Sequence, residues 1–383
     1  MGMFELIKIS LWNNGDSGLS VSEEDYNEMK MHAIIALPAG RLSNLKLTNE
    51  LKSKWRKDIL LQMSNYIQYT QMQSVLPISV PYTVLKGSSA AQYYPYPEYR
   101  AMGDIDIMTR REDFDTAYRQ LLNNGYRIVK EENREIGFVK NHIVVELHRQ
   151  FASLNNTDYA KHLDDLIIEN INPTHVLPDF VNGLVLLEHI NQHLENGLGL
   201  RQIIDWMMFA DKCIEGEEWK EFLDLAEEIG LKKLAIAVAG MCEIYLGLKP
   251  RDYFVDKDTD LCRQLMDYIL SNGDFGCKRT ADEDTSEKVF AKATTPKMVF
   301  RILQEQGLVN WKSAQRHSML RPFAWIYQLG RYIYRGLKRD HATAKIKEEY
   351  LSAKKRNIMF DKLGIKRASK GLTIYEDGKY VKR

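Results

Sequence analysis

The sequence predicts an α+β protein: a short sheet-bearing unit set between N-terminal helices and a larger C-terminal helical region. Three observations lead there. Short apolar runs bounded by turn residues are concentrated between about residue 76 and residue 165, a strand signal. On both sides of that stretch, apolar residues recur instead at helical spacing. The most chemically loaded segment, Val84 to Thr109, falls inside the strand-rich part. The expected organisation is an N-terminal helical segment (1–75), an α/β core (76–165), a helical bundle (166–338) and a basic C-terminal helix and tail (339–383).

In chain order, Ser22-Glu23-Glu24 reads as a helix start. Tyr26, Met29, Ala33 and Leu37 follow at helical spacing before Pro38. From Leu45 to Met72 a long amphipathic helix is predicted, with Leu51, Trp55, Ile59, Leu60 and Met63 on the stripe that packs against the next unit. In the core, Tyr82–Leu85 and Ile105–Met108 read as strands. A helix over Asp113–Asn124 aligns Phe114, Ala117, Tyr118 and Leu121 and closes at Gly125. Tyr126–Lys130 reads as a strand, and 137–141 with 142–149 as a hairpin.

Helices follow at 182–193, 202–214, 219–228, 232–245 and 260–270, and then a polar loop up to about 290. The stretch 299–337 holds two more apolar helical segments. In the second, Phe323, Trp325, Tyr327, Tyr332 and Tyr334 lie near Arg331, Arg335, Lys338 and Arg339. That reads as a packed helix with a basic solvent face, a membrane-facing surface being the other reading. The residues after it read as a helix and a loosely ordered tail.

The chemistry sits in the core. Asp104 and Asp106 flank Ile105, so on a strand both project from one face with Cα atoms about 6.5–7 Å apart. Two carboxylates that close repel unless a positive charge lies between them. Mg²⁺, which shares oxygen ligands with phosphates, suits such a pair. Upstream, Gly87-Ser88-Ser89 ends the first strand. Gly87 allows close backbone approach, and the serines and a following helix start supply donors for phosphate. There is no G-x-x-x-x-G-K-[ST] loop. Lys86 and Arg100 are candidate phosphate ligands, with Arg100 equally able to brace Asp104. Glu146 would join the two aspartates only if its strand lies beside theirs. His142 and His148 flank it; either could contact a phosphate or orient the carboxylate, but a strand-edge histidine more often reads as solvated. His189 and His193 are four apart on one helical face, but no third ligand is apparent, so they read as structural or as lining the cleft.

Leu85-Lys86-Gly87, Arg100, Gly103-Asp104-Ile105-Asp106-Ile107 and Val145-Glu146-Leu147-His148 together resemble the nucleotidyltransferase superfamily, the polymerase-beta-like fold. More narrowly they resemble the bacterial "nucleotidyltransferase family protein" group, whose later H-x-x-x-H…G-L-x-L-R-x-x-x-D pattern is matched by His189, His193, Gly197, Leu198, Leu200, Arg201 and Asp205. The resemblance implies a small mixed-sheet nucleotidyltransferase core. It implies that Asp104, Asp106 and Glu146 are the catalytic and metal-holding carboxylates for two Mg²⁺ ions, Mn²⁺ being a substitute. It implies that the Gly87-Ser88-Ser89 turn holds the triphosphate, and with Lys86 and Arg100 as candidate phosphate ligands these make up the expected nucleotide-binding residues. The third carboxylate is Glu146, where the superfamily more often has Asp.

With 44% hydrophobic and 27% charged residues, the composition is that of an ordinary globular protein. A net charge of +1 gives no general attraction to nucleic acid or membrane. Cys213, Cys242, Cys262 and Cys277 are widely spaced and read as reduced thiols of a cytoplasmic protein. The N-terminus lacks a signal-peptide pattern, Leu6 stands where a myristoylation signal has Ser or Thr, and no apolar run suits a membrane span. The expected activity is transfer of a nucleoside monophosphate from a nucleoside triphosphate to an acceptor hydroxyl on a small molecule, a sugar, a tRNA or a protein. The alternatives are an inactive nucleotide-binding regulatory or antitoxin-like protein on the same fold, and a non-catalytic interaction protein.

Overall fold

The computed structural model describes residues 2–12, 18–194, 197–250, 257–278, 296–337, 342–365, 373–376 and 379–382. Contacts divide the chain into one unit made of Met1–Lys278 with Leu363–Arg383, and a second made of Arg279–Lys362.

The first unit begins with α1 (Gly2–Trp12) and α2 (Glu23–Met31). A capping box starts α2: the Ser22 hydroxyl accepts from the Asp25 N–H, and the Asp25 side chain accepts from the Ser22 N–H. The helix stops at Met31, short of the expected Leu37, because Ala33 turns into the left-handed region at φ +55°. The long helix is α3 (Asn49–Ser74), capped by Thr48. Its buried stripe is Leu51, Trp55, Ile59 and Gln62, and Leu60 is 60% exposed. The expected inclusion of Leu60 fails on geometry: at 100° per residue it points away from Ile59, while Gln62 comes back into line. Gln62 is satisfied there by donating to the Tyr99 carbonyl at 2.7 Å.

The sheet contains β1 (Tyr82–Val84), β2 (Ile105–Thr109), β3 (Arg127–Glu131), β4 (Glu135–Lys140) and β5 (Ile143–His148), in the order β1-β2-β5-β4-β3. Only β2 and β5 pair in parallel; the other neighbours are antiparallel, so the sheet is mixed. The β4–β5 turn is Asn141-His142, both at positive φ, the geometry that matches strand twist in a two-residue hairpin. One sheet face packs Val84, Ile105, Ile107, Val145, Leu147, Ile136 and Phe138 against Phe114, Ala117 and Leu121 of α5 (Phe114–Asn123). Ile107 and Leu147 are fully buried, so truncating either to Ala would cost about 2–5 kcal/mol. The opposite face is left for polar residues.

Six more helices complete this unit: α6 (Thr157–Glu169), α7 (Asp179–His193), α8 (Leu200–Cys213), α9 (Glu218–Glu228), α10 (Lys232–Met241, continued by one wide turn over Cys242–Leu246) and α11 (Thr259–Asn272). α7 and α8 form the buried heart of this region. Trp206, Phe209 and Phe222 pack with their rings tilted or edge to face, at centroid distances of 5.4 to 6.4 Å.

The stretch that the sequence reads as a helix and a loosely ordered tail contains a described hairpin. After the helix Ala342–Lys362, β6 (Thr373–Glu376) and β7 (Lys379–Lys382) pair as an antiparallel hairpin. The Tyr380 hydroxyl donates to Asp164 at 2.6 Å, Arg111 donates to the Tyr380 oxygen at 3.1 Å, and the Tyr375 N–H donates to Gln150 at 2.7 Å. Two aromatic rings and a buried acceptor do for the hairpin what its composition did not advertise.

In the second unit the helices Pro296–Asn310 and Ala324–Leu337 cross closely at Gly307, where a Cβ would lie 2.0 Å from the Ala324 carbonyl oxygen. Phe323, Tyr327 and Tyr334 are exposed. Lys338, Arg339 and the polar loop 279–295 lie outside the described residues. No described helix is long and apolar enough to cross a membrane. All four cysteines are free thiols.

Candidate active site

Parity builds the site. β2 and β5 lie side by side with Asp106 opposite Glu146 and Met108 opposite His148. With Ile105, Ile107, Val145 and Leu147 turned into the core, period two turns Asp106, Glu146 and His148 to the other face. Asp104 precedes β2 instead of lying within it, but remains close enough for the two aspartates to feel each other. Asp106, Glu146 and His148 each offer a ligand atom within 4.8 Å of the others, a group able to hold a cation.

Asp106 is the centre. It is 1% exposed, and its Oδ1 accepts from Lys86 Nζ at 2.8 Å and from His148 Nε2 at 2.9 Å. Its Oδ2 is buried with no partner among the described residues. His148 Nδ1 lies 3.4 Å from Glu135, which in turn takes Lys130 Nζ at 2.6 Å. Burial works to raise the Asp106 carboxyl, but Lys86 and His148 more than offset it and hold it well below the usual range. The neighbouring acids take the opposite shift. Burial, then the charges of Asp106 and Asp104, push Glu146 up to about 8. Burial and Asp106 likewise raise Asp104. Burial pulls the Lys86 ammonium down, yet Asp106 and Asp104 keep it above its ordinary value. The site thus holds more carboxylate than its own cations neutralise.

Gly87 opens the other side. It sits at φ +57° at the start of α4 (Ser88–Ala91), where a Cβ would meet Met102 at 3.0 Å. Among the described residues, nothing accepts from the backbone N–H of Gly87 or of Ser88. The serine hydroxyls are committed within the protein. Ser88 Oγ donates to Gln73 at 2.6 Å, and the buried Ser89 Oγ donates to Asn182 on α7 at 3.0 Å. A cavity of about 330 Å³ lies beside this turn, lined by Gln73, Tyr82, Ser88, Ser89, Gln92 and His175, and reaches none of the carboxylates.

Arg100 does not brace Asp104. Its Nε and Nη2 grip Asp205 of α8 at 3.1 and 2.7 Å, its Nη1 donates to the Ala101 carbonyl, and the Tyr94 hydroxyl closes on the same carboxylate at 2.7 Å. A buried fork closed on a carboxylate has little left for a phosphate. The cation from α8 that faces Asp104 is Arg201: it is 8% exposed and offsets part of the rise of the Asp104 carboxyl, and its Nη1 lies 4.0 Å from where a Gly103 Cβ would stand. His189 and His193 of α7 also look onto this site. Burial lowers both; His193 and then Lys86 and Arg201 add to it at His189, and Lys86 and Arg201 add to it at His193, which falls to about 3. Their Nδ1 atoms are buried and lack partners among the described residues.

Sequence reasoning passed over two of these residues. His148 was legible, since it lies two positions from Glu146 and so shares its face, but a strand-edge histidine looked solvated; it is 3% exposed. Asp205 matched a pattern with no role attached, and nothing in the sequence ties it to Arg100, which lies 105 residues away.

A mixed sheet carrying clustered carboxylates on one face, beside a Gly-Ser turn with free N–H groups, is the arrangement that the nucleotidyltransferase resemblance implies. The chain belongs to the family described as uncharacterised nucleotidyltransferases, whose model matches residues 26–247, more than half of its length. That range takes in Lys86, Asp104, Asp106, Glu146, His189 and Arg201. No curated protein and no solved structure matches the chain.

Proposed function

We propose that this protein moves a nucleoside monophosphate from a nucleoside triphosphate to an acceptor hydroxyl. The observation that carries the reading is the parallel register of β2 against β5, with Asp106 opposite Glu146 next to the Gly87 turn. The residues present fit a divalent cation. Asp106 Oδ2 is a buried oxygen without a partner among the described residues, and burial, then the charges of Asp106 and Asp104, push Glu146 up to about 8. Mg²⁺, a hard ion that takes oxygen ligands, would be held by Asp104, Asp106 and Glu146, as one ion or two. Bound there, it supplies charge stabilisation at the attacking and leaving oxygens of an in-line displacement. Because an imidazole belongs to the same cluster, Mn²⁺ held by Asp106, Glu146 and His148 is a second reading.

The chain's own groups do the rest. The N–H groups of Gly87 and Ser88 and the Lys86 ammonium receive triphosphate oxygens. Ser89 holds α7 to the turn through Asn182, and Arg100 holds α8 to the segment before β2 through Asp205. The acceptor oxygen attacks the α-phosphorus, the bond to the β-phosphate oxygen breaks, and pyrophosphate leaves. Glu146, ionised when a cation is held, takes the hydroxyl proton on a carboxylate oxygen.

The test is calorimetric titration of ATP, GTP, CTP and UTP, with and without MgCl₂, into wild type and Asp104→Asn/Asp106→Asn. Metal-dependent binding of at least one triphosphate, lost in the double variant, is expected. Equal binding by the variant would overturn the site assignment, and metal-independent binding would overturn the role of the cation.

A further inference from the structure

Asp274-Phe275-Gly276 forms a tight turn directly after α11. Phe275 stands there at φ +52°, a conformation a bulky side chain rarely adopts, with 64% of its surface exposed. Burial cannot account for the strain, so other contacts must hold the turn. Asp274 supplies some of them: its Oδ1 accepts from Gln202 at 2.8 Å, and its Oδ2 forms an ion pair with Arg201 Nη2 at 3.1 Å. Two glycines supply the rest. A Cβ on Gly197 would lie 2.0 Å from the Gly276 nitrogen, and one on Gly199 would lie 2.9 Å from the Asp274 Cβ. Gly197-Leu198-Gly199 therefore lets two turns meet backbone against backbone. The pattern Gly197-x-Gly199-Leu200-Arg201-Gln202, which the carboxylates leave unexplained, reads as a clamp that presents Phe275.

What surrounds the presented ring is planar and polar. Arg201 Cζ lies over it at 5.7 Å, and His193 meets it edge to face at 4.8 Å. His193 meets His189 in the same way at 4.6 Å. Arg201 Nε and both histidine Nδ1 atoms are buried without partners among the described residues. Through Arg201 this row of flat groups continues to Gly103, the neighbour of Asp104.

We infer that Phe275 is the stacking platform for the base of the nucleoside triphosphate, with the Arg201 guanidinium beside it. The inference rests on the nucleotidyl-transfer reading and adds where the base lies. An open aromatic ring accepts any base, because each has a π-face, so this platform holds the base without choosing it.

Calorimetry on the full-length chain tests it, using the Mg²⁺ complexes of the four nucleoside triphosphates and of inorganic tripolyphosphate, which has no base. Phe275→Ala is expected to weaken the triphosphates that bind by roughly tenfold, the size of one aromatic stack on a base, and to leave tripolyphosphate unchanged. Phe275→Tyr is expected to restore the affinity. If Phe275→Ala binds nucleotides as tightly as wild type, the platform is overturned and the nucleotide reading stands. An equal loss for tripolyphosphate overturns the platform as well, since it marks a displaced turn. If wild type binds no nucleoside triphosphate at all, both readings fall.

Discussion

Arg100 and Asp205 close on each other through two hydrogen bonds, Nε to Oδ1 at 3.1 Å and Nη2 to Oδ2 at 2.7 Å, with both side chains almost wholly buried. Removing one partner leaves the other charge buried and unpaired. Arg100→Ala or Asp205→Ala is therefore expected to destabilise the protein by about 3–5 kcal/mol, and Arg100→Met/Asp205→Leu by less than the sum of its parts. Urea unfolding measures both. A stable Arg100→Ala that has lost triphosphate binding would instead make Arg100 a phosphate ligand.

Glu146 gives a pH signature. Free of metal it keeps its proton up to about pH 8, against 4.5 for an ordinary Glu. Between those values the folded state binds more protons than the unfolded state, so the stability contributed by protonated Glu146 is lost as pH rises through that window. The melting temperature of metal-free protein should fall over that range, and Glu146→Gln should flatten the fall. Mg²⁺ binding near pH 7 should release close to one proton, read from calorimetry in buffers of different ionisation heat, and Glu146→Gln should release none. No proton release in wild type would remove Glu146 from the cation site.

Lys86 is the counter-charge of Asp106 when no cation is bound. Lys86→Met should cost roughly 3–5 kcal/mol in metal-free protein, because Asp106 then faces its burial with His148 alone. Added Mg²⁺ should recover part of that loss, read as a larger rise in melting temperature than wild type shows. An equal rise in both proteins would mean that Lys86 and the cation do not share Asp106.

Tyr380 ties the C-terminal hairpin to Asp164, a buried carboxyl that desolvation raises to about 6 despite donors from Tyr380, Ala152 and Phe151. Tyr380→Phe leaves that oxygen without its hydroxyl donor and should cost about 1–3 kcal/mol in urea unfolding. A change near zero would mean that the hairpin does not dock on α6.

The alternation of Val145, Glu146 and Leu147 was readable as two faces because strand period is a local property of the backbone. The Gly87 turn was readable for a similar reason: a glycine after an apolar run marks a turn that lets backbone approach closely, and φ there is +57°. The buried face of α3 was readable at Leu51, Trp55 and Ile59 but not at Leu60, where hydrophobicity suggested a core position and helical angle assigned the place to Gln62. His148 was misread because burial is not a property of one residue's type.

The sequence by itself determined that helices flank a small sheet, that Asp106 and Glu146 each lie on the polar face of a strand, and that a Gly-Ser turn precedes them. These are matters of short-range periodicity and turn chemistry. Only the tertiary structure decided that β2 and β5 run parallel and in register, that Arg100 belongs to Asp205, and that Arg201 and Gln202 hold a turn 72 residues further on. Each of those pairings joins segments distant in the chain. Their partners are selected by which buried charges and which backbone surfaces meet after collapse, and no local pattern records that.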